Sequence, residues 1–94
     1  MSNNKIHVVH NSNRQRFETQ ADGQTAELNY YLAGNTIVFT HTGVPPALEG
    51  RGIGSLLVKS GLEYARENNL KVRALCWFVS GYIQRHEEYR GLVE

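Results

Sequence analysis

Glu49-Gly50-Arg51-Gly52-Ile53-Gly54-Ser55 sets three glycines among other residues just where a helical pattern begins. The first amides of a helix have no intrahelical acceptor, and they form the positive end of its dipole. Glycines let an anion approach those amides without meeting a Cβ. The segment therefore predicts a phosphate or pyrophosphate seated on the amides of Arg51, Gly52, Ile53, Gly54 and Ser55, with Gly50 opening the turn. Arg51 could add a charge-assisted contact, and Ser55 a hydroxyl. The plain alternative is a turn that leads into a helix and binds nothing. No Gly-Lys-Ser/Thr follows, so this is not a Walker loop. A dinucleotide site needs its glycines directly after the first strand and an acidic residue about 20 positions on. Here Pro45-Pro46 intervenes, and the next strand offers Lys71 and Arg73.

Two further residues could take part in chemistry. Cys76 is the one cysteine of the chain, which excludes an internal disulfide and a multi-thiolate zinc site. Given a depressed pKa and an adjacent base, it could act as a nucleophile. It also shares a strand face with Leu70, Val72 and Ala74, where a cysteine is ordinary core filler. His41 ends a strand before the glycine turn. It reads as a base or as a half-buried residue of the Ile37, Phe39 face. His86 lies on the apolar side of the last helix, as a packing residue with one hydrogen bond. His7 and His10 read as exposed strand or turn residues, and no metal is expected. Tyr82 has core spacing. Tyr30, Tyr31, Tyr64 and Trp77 read as sheet and helix packing rather than a base-stacking platform.

The elements that position these residues follow from pattern. Lys5 to His10 is a plausible short strand, and Arg16 to Gln20 a second, with Phe17 and Thr19 on one face. Asp22-Gly23 then signals a hairpin, because both residues tolerate positive φ. Ala26 to Ala33 alternates, with Ala26, Leu28, Tyr30 and Leu32 on one face. Gly34-Asn35 supplies another turn. Thr36 to Thr42 is strand again: Ile37, Phe39 and His41 point one way, Val38, Thr40 and Thr42 the other. Pro45-Pro46 ends the ladder. A helix runs from the glycine turn to about Asn69, with Ile53, Leu57, Val58, Gly61, Tyr64 and Ala65 on its apolar face. Leu70 to Phe78 reads as a strand, joined to the meander by a parallel crossover. Val79 to Tyr89 reads as a last helix, and the tail after Arg90 as loose.

Composition bounds the rest. The chain has 94 residues, which is one domain over 1–94. Its 24 Leu, Ile, Val and Phe residues suffice for a modest core. Ten basic and nine acidic residues give a net charge of +1. A general nucleic-acid or membrane-surface binder would carry a larger basic excess. No apolar run reaches the ~18 residues of a membrane-spanning helix. The first residues lack a signal-peptide pattern, so a cytoplasmic protein is expected.

The order of elements, together with Val44-Pro45-Pro46-Ala47-Leu48-Glu49-Gly50-Arg51-Gly52-Ile53-Gly54-Ser55, resembles the GNAT N-acetyltransferase superfamily. Leu75-Cys76-Trp77-Phe78-Val79, Tyr82-Ile83 and His86-Glu87-Glu88-Tyr89 are similar to its small branch of roughly hundred-residue proteins. The resemblance spans about Phe17 to Tyr89. It implies an α/β fold with a mixed sheet: an antiparallel meander, a β-α-β crossover and a C-terminal helix. It also implies acetyl-CoA as ligand, with pyrophosphate on the glycine turn. The pantetheine arm would lie between two splayed strands, paired with main chain over Thr42 to Val44. The thioester would point toward Cys76, and Tyr82, on the last helix bordering the arm, would contact the cofactor or protonate the leaving thiolate. The expected reaction is acetyl transfer to an amine of a separate acceptor, by direct attack or through acetyl-Cys76. A CoA-binding module without turnover is the alternative. Two departures stand out. Glu49 occupies a position that usually holds Gln or Arg, and a carboxylate cannot donate to phosphate. Larger members have helices between their first two strands, where here only Ala21-Asp22-Gly23-Gln24 stands. The open acceptor side suits a protein side chain or terminal amine.

Overall fold

The computed structural model describes residues 6–94. Lys5, the start of the first expected strand, lies outside them. The chain forms strands β1 (Val9–Asn11), β2 (Arg16–Ala21), β3 (Gln24–Ala33) and β4 (Thr36–Gly43), helix α1 (Ile53–Glu67), strand β5 (Lys71–Ala74) and helix α2 (Trp77–Arg85). The five strands make one sheet in the order β1-β2-β3-β4-β5. The first four are antiparallel neighbours, and β5 lies parallel to β4 after the α1 crossover. This is the mixed architecture that the residue pattern implied. No described helix is long and apolar enough to cross a membrane.

Local chemistry explains the turns. Asp22 and Gly23 take φ of +52° and +74°, as a tight hairpin of matching twist requires. The strands they join pair from Ala21↔Gln24 to Arg16↔Asn29. β1 and β2 are joined by a 3-10 turn over Ser12–Arg14, and β2 and β3 by the tight Asp22-Gly23 hairpin.

Alternation holds along the meander until β4. There Asn29 pairs with His41, but Tyr30 pairs with Phe39, so Thr40 is an extra residue in a β-bulge. Side chains after the bulge are displaced by one position. Thr42 and Val44 thus join the helix-covered face that Ile37 and Phe39 occupy. His41 moves to the opposite one, reversing the assignment that strict alternation gives.

The helical layer lies on one face. Phe39, Leu28 and Ile37 from the sheet are buried against Leu57, Val58, Leu62 and Ala65 of α1 and Val79, Tyr82 and Ile83 of α2. Gly61 makes this approach close: a Cβ there would lie 2.9 Å from Phe39 and 3.1 Å from Leu28. The other face carries an ion-pair group, with Arg16 holding Glu18 at 2.5 Å and Glu27 at 2.7 Å.

The expected strand Leu70 to Phe78 stops at Ala74, and α2 begins at Trp77 and ends at Arg85. The β-forming run Trp77-Phe78-Val79 becomes helix because Val79, Tyr82 and Ile83 reach the core at helical spacing. Cys76 is accordingly the N-cap of α2, with extended backbone, rather than a strand end. Residues Glu87–Leu92 form a 3-10 turn, not the end of a helix. The tail is not loose: Val93 bridges Val72 in parallel, the Glu94 amide donates to the Val72 carbonyl at 3.0 Å, and Arg73 pairs with Glu94 at 2.6 Å. This covers part of an otherwise open sheet edge. Leu32 and Tyr31 lie beyond the helical cover and are exposed, as is Trp77. His10 is not an exposed residue: its ring stacks on Phe17 at 4.3 Å, and its Nε2 meets the Tyr30 hydroxyl at 2.5 Å.

Candidate active site

Parallel pairing of β4 and β5 ends at Phe39↔Ala74, and the Leu75 amide donating to the Phe39 carbonyl at 2.9 Å is its last link. Beyond that point β4 stays bonded to β3 through Leu28↔Thr42 and Glu27↔Gly43. The chain after β5 instead turns away into α2. The two paths therefore part, and one edge of β4 is left without a strand partner. A cavity of about 630 Å³ fills the opening. Thr40, His41, Thr42 and Val44 form one wall, and Leu75, Cys76, Trp77 and Phe78 another. Leu48, Glu49, Gly50, Gly52, Ile53, Gly54 and Ser55 close it at the start of α1.

The three glycines of the turn answer different needs. Gly50 and Gly52 take φ of +86° and +76°, and a Cβ on either would meet nothing within 4 Å. Backbone conformation requires glycine there, and the space above stays open for an anion. Gly54 has ordinary φ, but a Cβ would lie 2.9 Å from the Phe78 ring and 3.6 Å from Val44. Its role is close packing of α1 onto α2 and the end of β4. The first helical bond at the turn runs from the Leu56 amide to the Gly52 carbonyl at 3.1 Å. The preceding amides of Ile53, Gly54 and Ser55 have no intrahelical acceptor. Arg51 does not line the cavity. Its Nη2 donates to Asp22 of the β2–β3 hairpin at 2.6 Å.

Cys76 is half-buried, one side against the core and the other on the cavity. Its Sγ lies 3.4 Å from Thr42 Oγ1. Burial pushes the thiol up, but hydrogen bonding by the Thr42 hydroxyl and by the amides of Val79, Phe78 and Thr42 outweighs it, so the pKa falls below the ordinary thiol value. The amides of Phe78 and Val79 belong to the first turn of α2, where the dipole favours a thiolate. Cys76 thus stands where the core meets the cavity.

The bulge turns His41 to the sheet face opposite Thr42. His41 contributes to the cavity wall, yet a Cβ built on Gly43 would meet both its Nε2 at 3.3 Å and Glu27 Cγ at 3.7 Å. His41 and Cys76 both line the one cavity, with the ring on the sheet face opposite Thr42.

Tyr82 does not line the cavity. It is buried and stacks on the His86 ring at 3.9 Å. Burial first, then the Glu88 and Glu63 charges, raises its phenol pKa. His86 Nδ1 lies 2.8 Å from the Tyr82 carbonyl, in the packing role its spacing suggested. Sequence reasoning did not single out Thr40, Leu48, Leu75, Trp77 and Phe78 as wall residues, and it named Thr42 only for its main chain. Trp77, 82% exposed, was concealed by the strand pattern around it. Among the described residues no group of three or more His, Cys, Asp or Glu could hold a metal ion.

A meander, a glycine-opened crossover helix and a parting parallel pair together define the GNAT fold. The family model for GCN5-related N-acetyl-transferases matches residues 16–92, and the chain belongs to that family. It is 36% identical over 84 residues to protein NATD1 of Mus musculus, covering 86% of this chain and 76% of that protein. Protein NATD1 of Homo sapiens is also 36% identical, with 86% and 74% covered. An NMR solution structure of a GCN5-like protein from Staphylococcus aureus, put forward as an N-acetyltransferase, superposes with a TM-score of 0.72 at 34% identity. That likeness covers 100% of this chain and 91% of the other.

Proposed function

We propose that the chain transfers an acetyl group from acetyl-CoA to a primary amine, with Cys76 carrying the acetyl group between them. The observation that carries this reading is one cavity holding both an anion-ready glycine turn and a thiol of lowered pKa. Its size is that of a small-molecule site. Open space above Gly50 and Gly52 leaves room for phosphate oxygens on the amides of Arg51 to Ser55. The end of β4 at Thr42 and Gly43, without a strand partner on its β5 side, and Val44 after it offer main-chain groups to an amide-bearing arm. Acetyl-CoA bound there would supply the acetyl group as a thioester.

The chain's own residues then divide the work. The Cys76 thiolate bonds to the acetyl carbonyl carbon, and the donor sulfur departs with the electron pair. Thr42 holds Sγ in place, and the α2 amides stabilise the thiolate before attack and when it leaves again. A neutral acceptor amine attacks acetyl-Cys76, and its proton passes to a base on the acceptor side, where His41 is the titratable candidate. Among the described residues no helix roofs the β2–β3 hairpin side, which suits a protein terminus or side chain as acceptor. The same openness favours a second reading, direct attack on the donor without acetyl-Cys76.

Titration with acetyl-CoA should shift the amides of Val44 and Arg51 to Ser55 first and change the emission of Trp77, the one tryptophan. Silence at millimolar ligand overturns the reading. Mass spectrometry should show an adduct of about 42 Da, one acetyl group, that disappears in Cys76→Ala. Full activity of Cys76→Ala without an adduct would select direct attack. Thiol release with peptides, free amines and polyamines distinguishes an enzyme from a CoA binder that does not turn over.

A further inference from the structure

We propose that Glu49 sets the donor preference of this cavity toward the pantetheine thioester arm and against the phosphate-bearing end. The inference rests on the acetyl-CoA reading above. Of all Asp, Glu, Lys and Arg residues among the described residues, Glu49 alone lines the cavity. It immediately precedes Gly50, in the turn where a diphosphate would sit. A carboxylate there accepts hydrogen bonds but donates none. Arg51, the nearest cation in sequence, is held by Asp22 at 2.6 Å on the hairpin side. The phosphate end therefore meets the helix amides of α1, worth about half a positive charge, against a full negative charge on Glu49. The remaining wall is largely apolar, through Val44, Leu48, Ile53, Leu75, Trp77 and Phe78. That lining suits an uncharged acyl-pantetheine arm. Affinity thus resides in the arm, and the charge of Glu49 decides how much the phosphates add.

Three probes separate the parts: acetyl-CoA, S-acetyl-pantetheine and ADP, each titrated by amide shifts on the wild-type chain, Glu49→Gln and Glu49→Arg. Glu49 is exposed, so both variants are expected to keep the fold. In wild type, S-acetyl-pantetheine should bind within about tenfold of acetyl-CoA, since the Glu49 charge offsets the pull of the α1 amides on the phosphates. Glu49→Gln should tighten acetyl-CoA and ADP about three- to tenfold at low salt, less at high salt, and leave S-acetyl-pantetheine unmoved. Glu49→Arg should extend the same trend. Unchanged or weakened acetyl-CoA binding in Glu49→Gln overturns the proposal alone, as does an equal gain for S-acetyl-pantetheine. Failure of all three probes to bind wild type overturns the acetyl-CoA reading together with it.

Discussion

At the scale of single residues, Cys76 owes its character to its neighbours. A thiol buried without donors would be harder to ionise, and here the Thr42 hydroxyl and the first amides of α2 reverse that direction. Thr42→Val keeps the shape of the side chain and removes the hydroxyl. The thiol pKa should rise, and alkylation by iodoacetamide near neutral pH should slow. A pH–rate profile of alkylation measures it directly, and an unmoved midpoint would mean that the α2 amides act alone. This partnership was not legible in the residue pattern. Strict alternation places Thr42 on the face away from Ile37 and Phe39, and the Thr40 bulge moves it back. No feature of the run Thr36-Ile37-Val38-Phe39-Thr40-His41-Thr42 announces where an extra residue will sit.

At the scale of elements, glycines have opposite reasons to be present. Gly61→Ala should raise helix propensity by about 1 kcal/mol. The new methyl, however, would lie 2.9 Å from Phe39 and 3.1 Å from Leu28, both fully buried and without room to retreat. Overpacking of that kind costs about 1–3 kcal/mol, so net destabilisation is expected. Gly52→Ala meets no atom within 4 Å but must hold φ at +76°, at a cost of about 1–2 kcal/mol. Urea midpoints should therefore fall in both. Only Gly61→Ala should disturb the Phe39 and Leu28 methyl and ring resonances; the same disturbance in Gly52→Ala would refute the distinction. Element types were largely readable from these patterns. The strand-to-helix change at Cys76 was not, because Trp77-Phe78-Val79 favours strand locally and turns helical only against the core.

At the scale of the whole molecule, the aromatic cluster of His10, Phe17, Tyr30 and Tyr64 ties the first strand to the sheet and α1. Burial lowers the His10 pKa. The neutral imidazole can then accept from the Tyr30 hydroxyl at 2.5 Å. Because the unfolded chain binds that proton more readily, His10's contribution is complete above its unfolded pKa of about 6.5 and is lost as pH falls through the folded value. Denaturation midpoints should decline below about pH 6.5 in wild type, and His10→Gln, which can still accept from Tyr30, should flatten that portion of the curve. An unaltered curve in the variant would assign the dependence elsewhere. Glu18 adds a lower window. Its hydrogen bond with Arg16 holds the carboxyl below the usual range, so its share persists above the unfolded value near 4.3 and disappears as pH falls through the folded one.

The amino-acid order alone determined the meander, the crossover and the glycine turn. Asp22-Gly23, β-branched alternation and the Gly50 to Gly54 spacing act over a few residues, where local sterics decide. Only the tertiary structure decided that Thr42 meets Cys76, that His41 lies on the sheet face opposite Thr42, that Tyr82 stays out of the cavity and that the last residues bind β5. Each of these depends on which distant surface a side chain meets once the sheet bulges, twists and receives its helices. Contacts of that range are set by packing the chain as a whole.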